Sequence, residues 1–220
     1  KATGKRDLVV KLAKKYSGEI ISADSRQVYK GLDIGTGKIT MKEMQGVTHH
    51  MLDVINPKKI FSVSDWKKQT DIAIKNIISR NKLPIICGGT GFYIQSIVDN
   101  VILPEVPPNK NLRNKLEKKD VPSLLKILKK LDPQRVKNID IKNPVRLIRA
   151  IEIAIALGKV PEINKQNSNY QILQIGLRLP DTESKKKINE RIISRMKKGI
   201  IKESVNLHKN GLSFKRMRTL

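Results

Sequence analysis

Apolar residues recur along this chain with two different periods. Leu8, Leu12 and Ala13, backed by Val9, fall at helical spacing, and Tyr16-Ser17-Gly18 closes that run. Glu19 to Ala23 follows as a short strand whose apolar members are Ile20, Ile21 and Ala23. Lys30 to Thr48 reads as loop, made pliable by Gly31, Gly35, Gly37 and Gly46, with a short helix at Lys42–Met44. Beyond Pro57 a helix runs to Ser79, capped by Ser64 or Asp65, with Trp66, Ile72, Ala73 and Ile77 among its apolar positions. Leu83-Pro84-Ile85-Ile86-Cys87 has the unbroken apolar run of a buried strand, with proline at its start where it is tolerated. It leads through Gly88-Gly89-Thr90-Gly91 into a helix from Phe92 to Ile97. Helix and strand in alternation predict an α/β core around a parallel sheet.

The pattern changes at Asp99. The stretch VILPEVPPNKN carries three prolines and predicts an extended link out of the sheet domain. Leu112 to Leu131 then reads as two short basic helices, too short to stand alone, with inner faces at Leu116, Leu124, Leu125, Ile127, Leu128 and Leu131. The expected organisation is a small inserted helical domain at residues 99–142, with the core formed by 1–98 and 143–220. Asn143-Pro144 opens a helix that Gly158 ends. Gln171 to Leu179 alternates weakly and is expected to return to the sheet as a strand. Pro180-Asp181-Thr182 starts a last helical region with Ile188, Ile192 and Met196 as its inner stripe and Lys187, Arg191 and Arg195 as a parallel basic one. Gly199 interrupts this region and Gly211 ends it.

Charge adds a partner class. Among 220 residues, 45 Lys and Arg stand against 20 Asp and Glu, a formal net charge of +25. A solvated surface needs no such excess, so a polyanion is expected, nucleic acid first. The bias toward Lys and Asn is also what genome-wide composition produces, so charge does not settle the point alone. The single cysteine, Cys87, excludes an intrachain disulfide and reads as a buried strand thiol. Without a signal-like or membrane-length apolar run, a cytoplasmic monomer is expected. Aromatics at 4% argue against a stacking platform for single strands as the main device. The missing initiator methionine, and the lack of a clear terminus in Phe214–Leu220, lead to the expectation of a fragment or processed form.

Candidate chemistry gathers where strands end. Asp24-Ser25-Arg26-Gln27 places a carboxylate, a hydroxyl, a guanidinium and an amide directly after a strand, the usual place for chemistry in an open α/β sheet. An Asx turn with a solvated arginine explains the same four residues. Gly4-Lys5 before a helix can hold phosphate, although the full glycine-rich loop would need more residues and a hydroxyl where Arg6 stands. Strand, glycine pair, Thr90 and helix suit close approach to an anion, or a tight turn with Thr90 as helix cap. Arg146 and Arg149 share a face and can bind phosphate or pair with Glu152. His49, His50 and Asp53 are zinc ligand types, but nothing at supporting spacing completes a site.

ISADSRQVYKGLDIGT, HHMLDV, FSVSDW, GGTGFY, NPVRLIRAIEIA and INERIISRM occur in an order that resembles the bacterial tRNA dimethylallyltransferase family, over nearly the whole chain. The resemblance implies a P-loop NTPase-like core with an inserted helical domain that grips the anticodon stem. It implies transfer of a dimethylallyl group from dimethylallyl diphosphate to N6 of adenosine 37 in tRNA, with Mg2+ accompanying the diphosphate. By resemblance, Asp24 is the general base, Thr90 a hydroxyl near the diphosphate and Arg191 the diphosphate clamp. Ala2, Thr3, Gly4, Lys5, Arg6 and Gly89 fall in the diphosphate-binding positions. Asp24, Ser25, Arg26 and Gln27, with Val145, Arg146, Leu147, Ile148 and Arg149, match the two tRNA-contacting segments. Lys1 and Arg6 depart from the family's phosphate loop, Ile193 stands where relatives often have Asp, and Ile139 to Asn143 departs from the usual Ile-His-Pro-Asn-Asp. Two rival readings follow: a catalytically impaired tRNA-binding homologue, and a P-loop nucleotide kinase.

Overall fold

The computed structural model describes residues 4–162 and 168–220. The chain forms two compact units, Lys1–Asn100 with Asn167–Leu220, and Val101–Gln166. The first unit contains α1 (Lys5–Lys15), β1 (Gly18–Ala23), α2 (Met41–Met44), β2 (His49–His50), α3 (Val63–Ser79), β3 (Leu83–Gly88) and α4 (Gly91–Val98). The second contains α5 (Lys110–Leu116), α6 (Val121–Leu131), α7 (Pro133–Lys137) and α8 (Pro144–Leu157). The chain then rejoins the first unit as α9 (Asp181–Lys198), α10 (Ile200–Lys209) and α11 (Phe214–Met217).

The described sheet is parallel, in the order β2-β1-β3. Its middle strand is buried from Glu19 to Ala23, because helices cover both faces. On one face α1 supplies Val10 and Ala13 against Ile20 and Ile39. On the other, Trp66 of α3 stacks on Tyr93 of α4 with ring centroids 4.6 Å apart. The Trp66 indole N–H also donates to the Ser22 carbonyl at 3.0 Å, tying α3 to β1. Glu19 is buried with ionic partners on three sides: Arg80 at 2.9 Å, Lys82 at 2.8 Å and His50 at 2.7 Å. The Arg80 guanidinium above all holds its carboxyl far below the usual range, against the opposing effect of burial.

Several elements differ from the sequence expectation. The helix 63–79 is capped by Ser62, whose hydroxyl accepts from Asp65 N–H while the Asp65 carboxylate accepts from Ser62 N–H. Its buried face runs through Trp66, Thr70, Ile74 and Ile77, so Ile72 points to solvent. Gln171–Leu179 carries no strand, and Leu173 is 85% exposed. Alternating apolar residues make a strand only where a sheet edge accepts their backbone bonds, and none of the three described strands pairs with this segment.

The expected boundary at residue 142 falls inside the second unit. Helix α8 shares its core with α5 and α6: Leu147, Ile148 and Ile151 pack with Leu116, Leu124 and Leu128. Its apolar face needed a neighbour, and the two short helices before it needed the same. Residues 143–162 therefore belong with the helical insert and not with the sheet.

Candidate active site

The C-terminal ends of β1 and β3 are sewn together. The Gly89 and Thr90 N–H groups both donate to the Ala23 carbonyl, at 3.2 and 3.0 Å. A Cβ on Gly88 would lie 2.0 Å from that carbonyl oxygen, so only glycine permits the approach. The closure brings Thr90 against the loop after β1, where its hydroxyl accepts from Ser25 N–H at 3.0 Å. Thr90 begins α4 but makes no side-chain cap to it, so its hydroxyl is committed to the loop. Asp24 closes an Asx turn, accepting from Arg26 N–H at 2.9 Å. The Asx turn expected of this knot is therefore present, and Asp24 also lines the cavity described next.

Beneath this closure lies a cavity of about 920 Å³. Its lining brings together Asp24, Ser25, Arg26 and Gln27 from the β1 loop, Gly89 and Thr90 from the β3 turn, Gly4, Lys5 and Arg6 from the mouth of α1, and Arg191 from α9. Gly4 has φ +72, a left-handed conformation that starts α1 abruptly. Lys5 Nζ donates to the Gly88 carbonyl at 2.8 Å. The Arg6 guanidinium donates to the Gly37 carbonyl. Ala2 and Thr3, also expected here, lie outside the described residues.

Helix α9 turns its basic stripe to the cavity. Lys187, Arg191 and Arg195 line it, whereas Ile192 and Met196, expected inside, are 55% and 52% exposed. A helix facing a polar cleft keeps charge on its covered side, which reverses the usual rule for an amphipathic surface helix. Among the described residues Arg191 has no hydrogen-bond or ion-pair partner, so its five N–H donors face the cavity unspent. Arg195 donates to the Gly35 carbonyl at 2.8 Å. Burial first, then Arg191 and Arg6, holds its pKa below the ordinary arginine value. Burial likewise pushes the Cys87 thiol up, against the pull of Lys5 and Arg6. His49, also in the lining, is kept toward its neutral form by burial.

The other expected tRNA segment belongs to the helical unit. Val145 is 74% exposed and Arg146 stands largely in solvent, 3.5 Å from Asp140. Leu147 and Ile148 are buried core residues. Arg149 is spent on Glu152 and on the Val106 carbonyl, the latter at 2.9 Å. Arg113 adds a second guanidinium to Glu152, at 2.7 Å and 3.0 Å, and Asn109 N–H a further bond at 2.6 Å. Burial would raise the Glu152 pKa, yet these donors hold it at about 2.

Sequence reasoning named Arg195 as part of the stripe but not as part of the site. The four-residue spacing from Arg191 was the available signal. Gly35-Thr36-Gly37-Lys38 reads from sequence as flexible surface by default and as a second anion contact otherwise, and Gly35 and Thr36 line the cavity. No described group of three His, Cys, Asp or Glu side chains is placed to hold a metal ion. The described residues form no protein cage for magnesium, an ion commonly held by substrate phosphates with one or two carboxylates and water.

Comparison with known proteins shows the family of the chain. Residues 27–220 match the family model for IPP transferase. The chain is 41% identical to tRNA dimethylallyltransferase 2 of Treponema denticola, over all of this chain and 74% of that protein. It is 40% identical to the tRNA dimethylallyltransferase of Caldanaerobacter subterraneus, over 96% of this chain and 70% of that protein. The full-length tRNA isopentenylpyrophosphate transferase of Bacillus halodurans superposes with a TM-score of 0.68 at 36% identity, over 96% of this chain and 68% of that one. A eukaryotic dimethylallyltransferase acting on tRNA has the same fold, with a TM-score of 0.77 at 23% identity over 94% of this chain and 54% of that one. With the family model matched over most of its length and relatives this similar, the chain belongs to the IPP transferase family.

Proposed function

We propose that this protein transfers a dimethylallyl group from dimethylallyl diphosphate to N6 of adenosine 37 in tRNA, releasing diphosphate. The observation that carries the reading is one cavity lined both by Asp24, at the end of β1, and by the unpartnered Arg191, with Lys5 and Thr90 between the same walls. An exocyclic adenine amine is a poor nucleophile, and a carboxylate in reach of its proton makes it a better one. The allylic carbon must be held close to it, which the cavity walls provide. As the C–O bond to diphosphate breaks, charge builds on the leaving oxygens. Arg191, Lys5 and the first amides of α1 would meet that charge.

The adenine must leave the anticodon-loop stack to enter such a cavity. Ser25, Arg26 and Gln27 line its wall beside Asp24 and are assigned to the RNA. Val145 and Arg146 are the most exposed members of the second segment and are assigned to the RNA as well, whereas Arg149, partly exposed, is held by Glu152. The net charge of +25 suits the phosphate backbone. Magnesium would arrive on the diphosphate, and no step here is routed through it. No described helix is long and apolar enough to cross a membrane, and a cytoplasmic monomer is the proposed state. Neither rival, the kinase nor the inactive homologue, finds support among these relatives, whose names are those of transferases.

The test is single-turnover transfer of a labelled dimethylallyl group from its diphosphate to an anticodon stem-loop with adenosines at 36 to 38. Label should enter the RNA with the parent chain and fall about 10²- to 10⁴-fold with Asp24→Asn, the span of a lost general base. Equal rates for the two would remove Asp24 from that role. RNA binding with no label from the parent would instead support the inactive homologue.

A further inference from the structure

Glu203 lies on α10 and does not line the cavity, yet three successive amides of the loop that reaches the lining at Gly35 converge on its carboxylate. Oε2 accepts from Asp33 N–H at 2.9 Å and from Ile34 N–H at 2.7 Å, and Oε1 accepts from Gly35 N–H at 2.9 Å. Consecutive amides aimed at one anion form a concave nest, and bonds to a charged acceptor are the strong kind. Lys38 braces the same loop from below, donating to the Tyr29 carbonyl at 2.9 Å and to Asp33 at 2.6 Å.

The loop held in this way turns two carbonyls back toward the basic wall. Gly35 O accepts from Arg195 Nη1 at 2.8 Å, and Gly37 O accepts from the Arg6 guanidinium. Arg191 and Arg6 both act against the charge of Arg195, with which they share the cavity lining. A guanidinium among others of its kind turns to water unless a fixed acceptor holds it. Gly37 sits at φ +60, and a Cβ there would lie 2.3 Å from Arg195 Nη2. Loop and guanidinium are thus in direct contact, and a shift of one displaces the other.

We propose that Glu203 is a positioning residue for the diphosphate donor. Through the amides of Asp33, Ile34 and Gly35 it fixes the loop whose Gly35 and Gly37 carbonyls hold Arg195 and Arg6 at the cavity wall. The proposal rests on the reading of this cavity as a diphosphate site. Glu203→Gln is the discriminating change. Glutamine keeps the length but has one acceptor oxygen, so its NH2 group must face at least one backbone N–H, donor against donor.

The experiment is calorimetric titration of inorganic pyrophosphate into the whole chain, for the parent, Glu203→Gln, Arg195→Ala and the double variant. Affinity for the anticodon stem-loop is measured beside it. Glu203→Gln should weaken pyrophosphate binding about tenfold, the scale of a misplaced charged hydrogen bond. The same change should cost less in the Arg195→Ala background, because its effect passes through that guanidinium. RNA affinity should stay within about twofold, which a general structural loss would not allow. Gly37→Ala, whose Cβ would press on Arg195 directly, should also lose pyrophosphate affinity and tests that guanidinium apart from Glu203. Glu203→Asp, which keeps the charge but draws it back by one methylene, should lose affinity too and carries the test if Glu203→Gln fails to fold. An undiminished pyrophosphate affinity, strictly additive losses, or equal losses for pyrophosphate and RNA would each overturn the proposal. A parent chain that binds the RNA but not pyrophosphate would overturn the diphosphate reading of the cavity, and the proposal with it.

Discussion

Two arginine pairs look alike in the sequence and behave differently in the molecule. Arg146 and Arg149 lie three apart on α8, and Arg191 and Arg195 four apart on α9. On α8 a buried carboxylate, Glu152, follows at the next turn and takes up Arg149 together with Arg113. On α9 no described carboxylate pairs with Arg191, and its donors face a cavity. The first arrangement spends the charge of Arg149 on holding α5 and the preceding link to α8. The second keeps its charge available and relies on a loop carbonyl to hold Arg195. What separates a structural arginine from a binding one is the acceptor it already has, which residue type and spacing do not reveal.

The largest effect should come from removing the buried acceptor. Glu152→Ala leaves Arg113, Arg149 and the Asn109 N–H facing an empty site, and should cost about 3–5 kcal/mol of stability. Urea unfolding followed by circular dichroism measures this, and a loss under about 1 kcal/mol would mean that the cluster is a surface pair in effect. Arg191→Ala should slow transfer about 10²-fold, as removal of one stabilising donor does, with the unfolding midpoint unchanged. Rapid-quench assays with saturating RNA decide it, and an unchanged rate would assign the clamp elsewhere.

Acid should act on one member of the comparison. The Glu152 pKa is depressed to about 2 from an ordinary 4.5. Its contribution is therefore complete above about pH 4.5 and lost as pH falls toward 2, because the unfolded chain takes up the proton first. Unfolding free energy measured across that window should fall in the parent and fall less steeply in Glu152→Gln. Parallel curves would show that another group dominates. The smallest effect belongs to Arg146→Ala: stability within about 0.5 kcal/mol, and a salt slope of RNA binding reduced by about one. A change of slope near zero would remove Arg146 from the RNA surface.

The parts of the site legible in the sequence are those encoded by local chemistry. A glycine pair after an apolar run marks a close strand-end approach, and Gly88 meets Ala23 there. A polar knot after Ile20-Ile21 marks the end of β1. The parts that were not legible depend on partners far along the chain. Arg149 reads equally as ligand or ion pair until Val106 and Arg113 are placed beside it. The inward face of α9 was misread because Ile188, Ile192 and Met196 obey the hydrophobic period, while the surface they were expected to meet is a basic cleft. The helical unit was drawn too short because α8 begins with a proper cap at Asn143, which marks a helix start but not the neighbour it packs on. Glu203 gives no local signal, since the amides it holds lie about 170 positions earlier.

The measurement that goes most directly to the central claim compares Arg191→Ala with Arg149→Ala in both assays, single-turnover transfer and urea unfolding. The account predicts a crossing: Arg191→Ala loses transfer and keeps the parent's stability, whereas Arg149→Ala loses stability and keeps transfer below its unfolding midpoint. Transfer lost in Arg149→Ala while the protein remains folded, or retained in Arg191→Ala, would contradict the division between a spent and an available arginine.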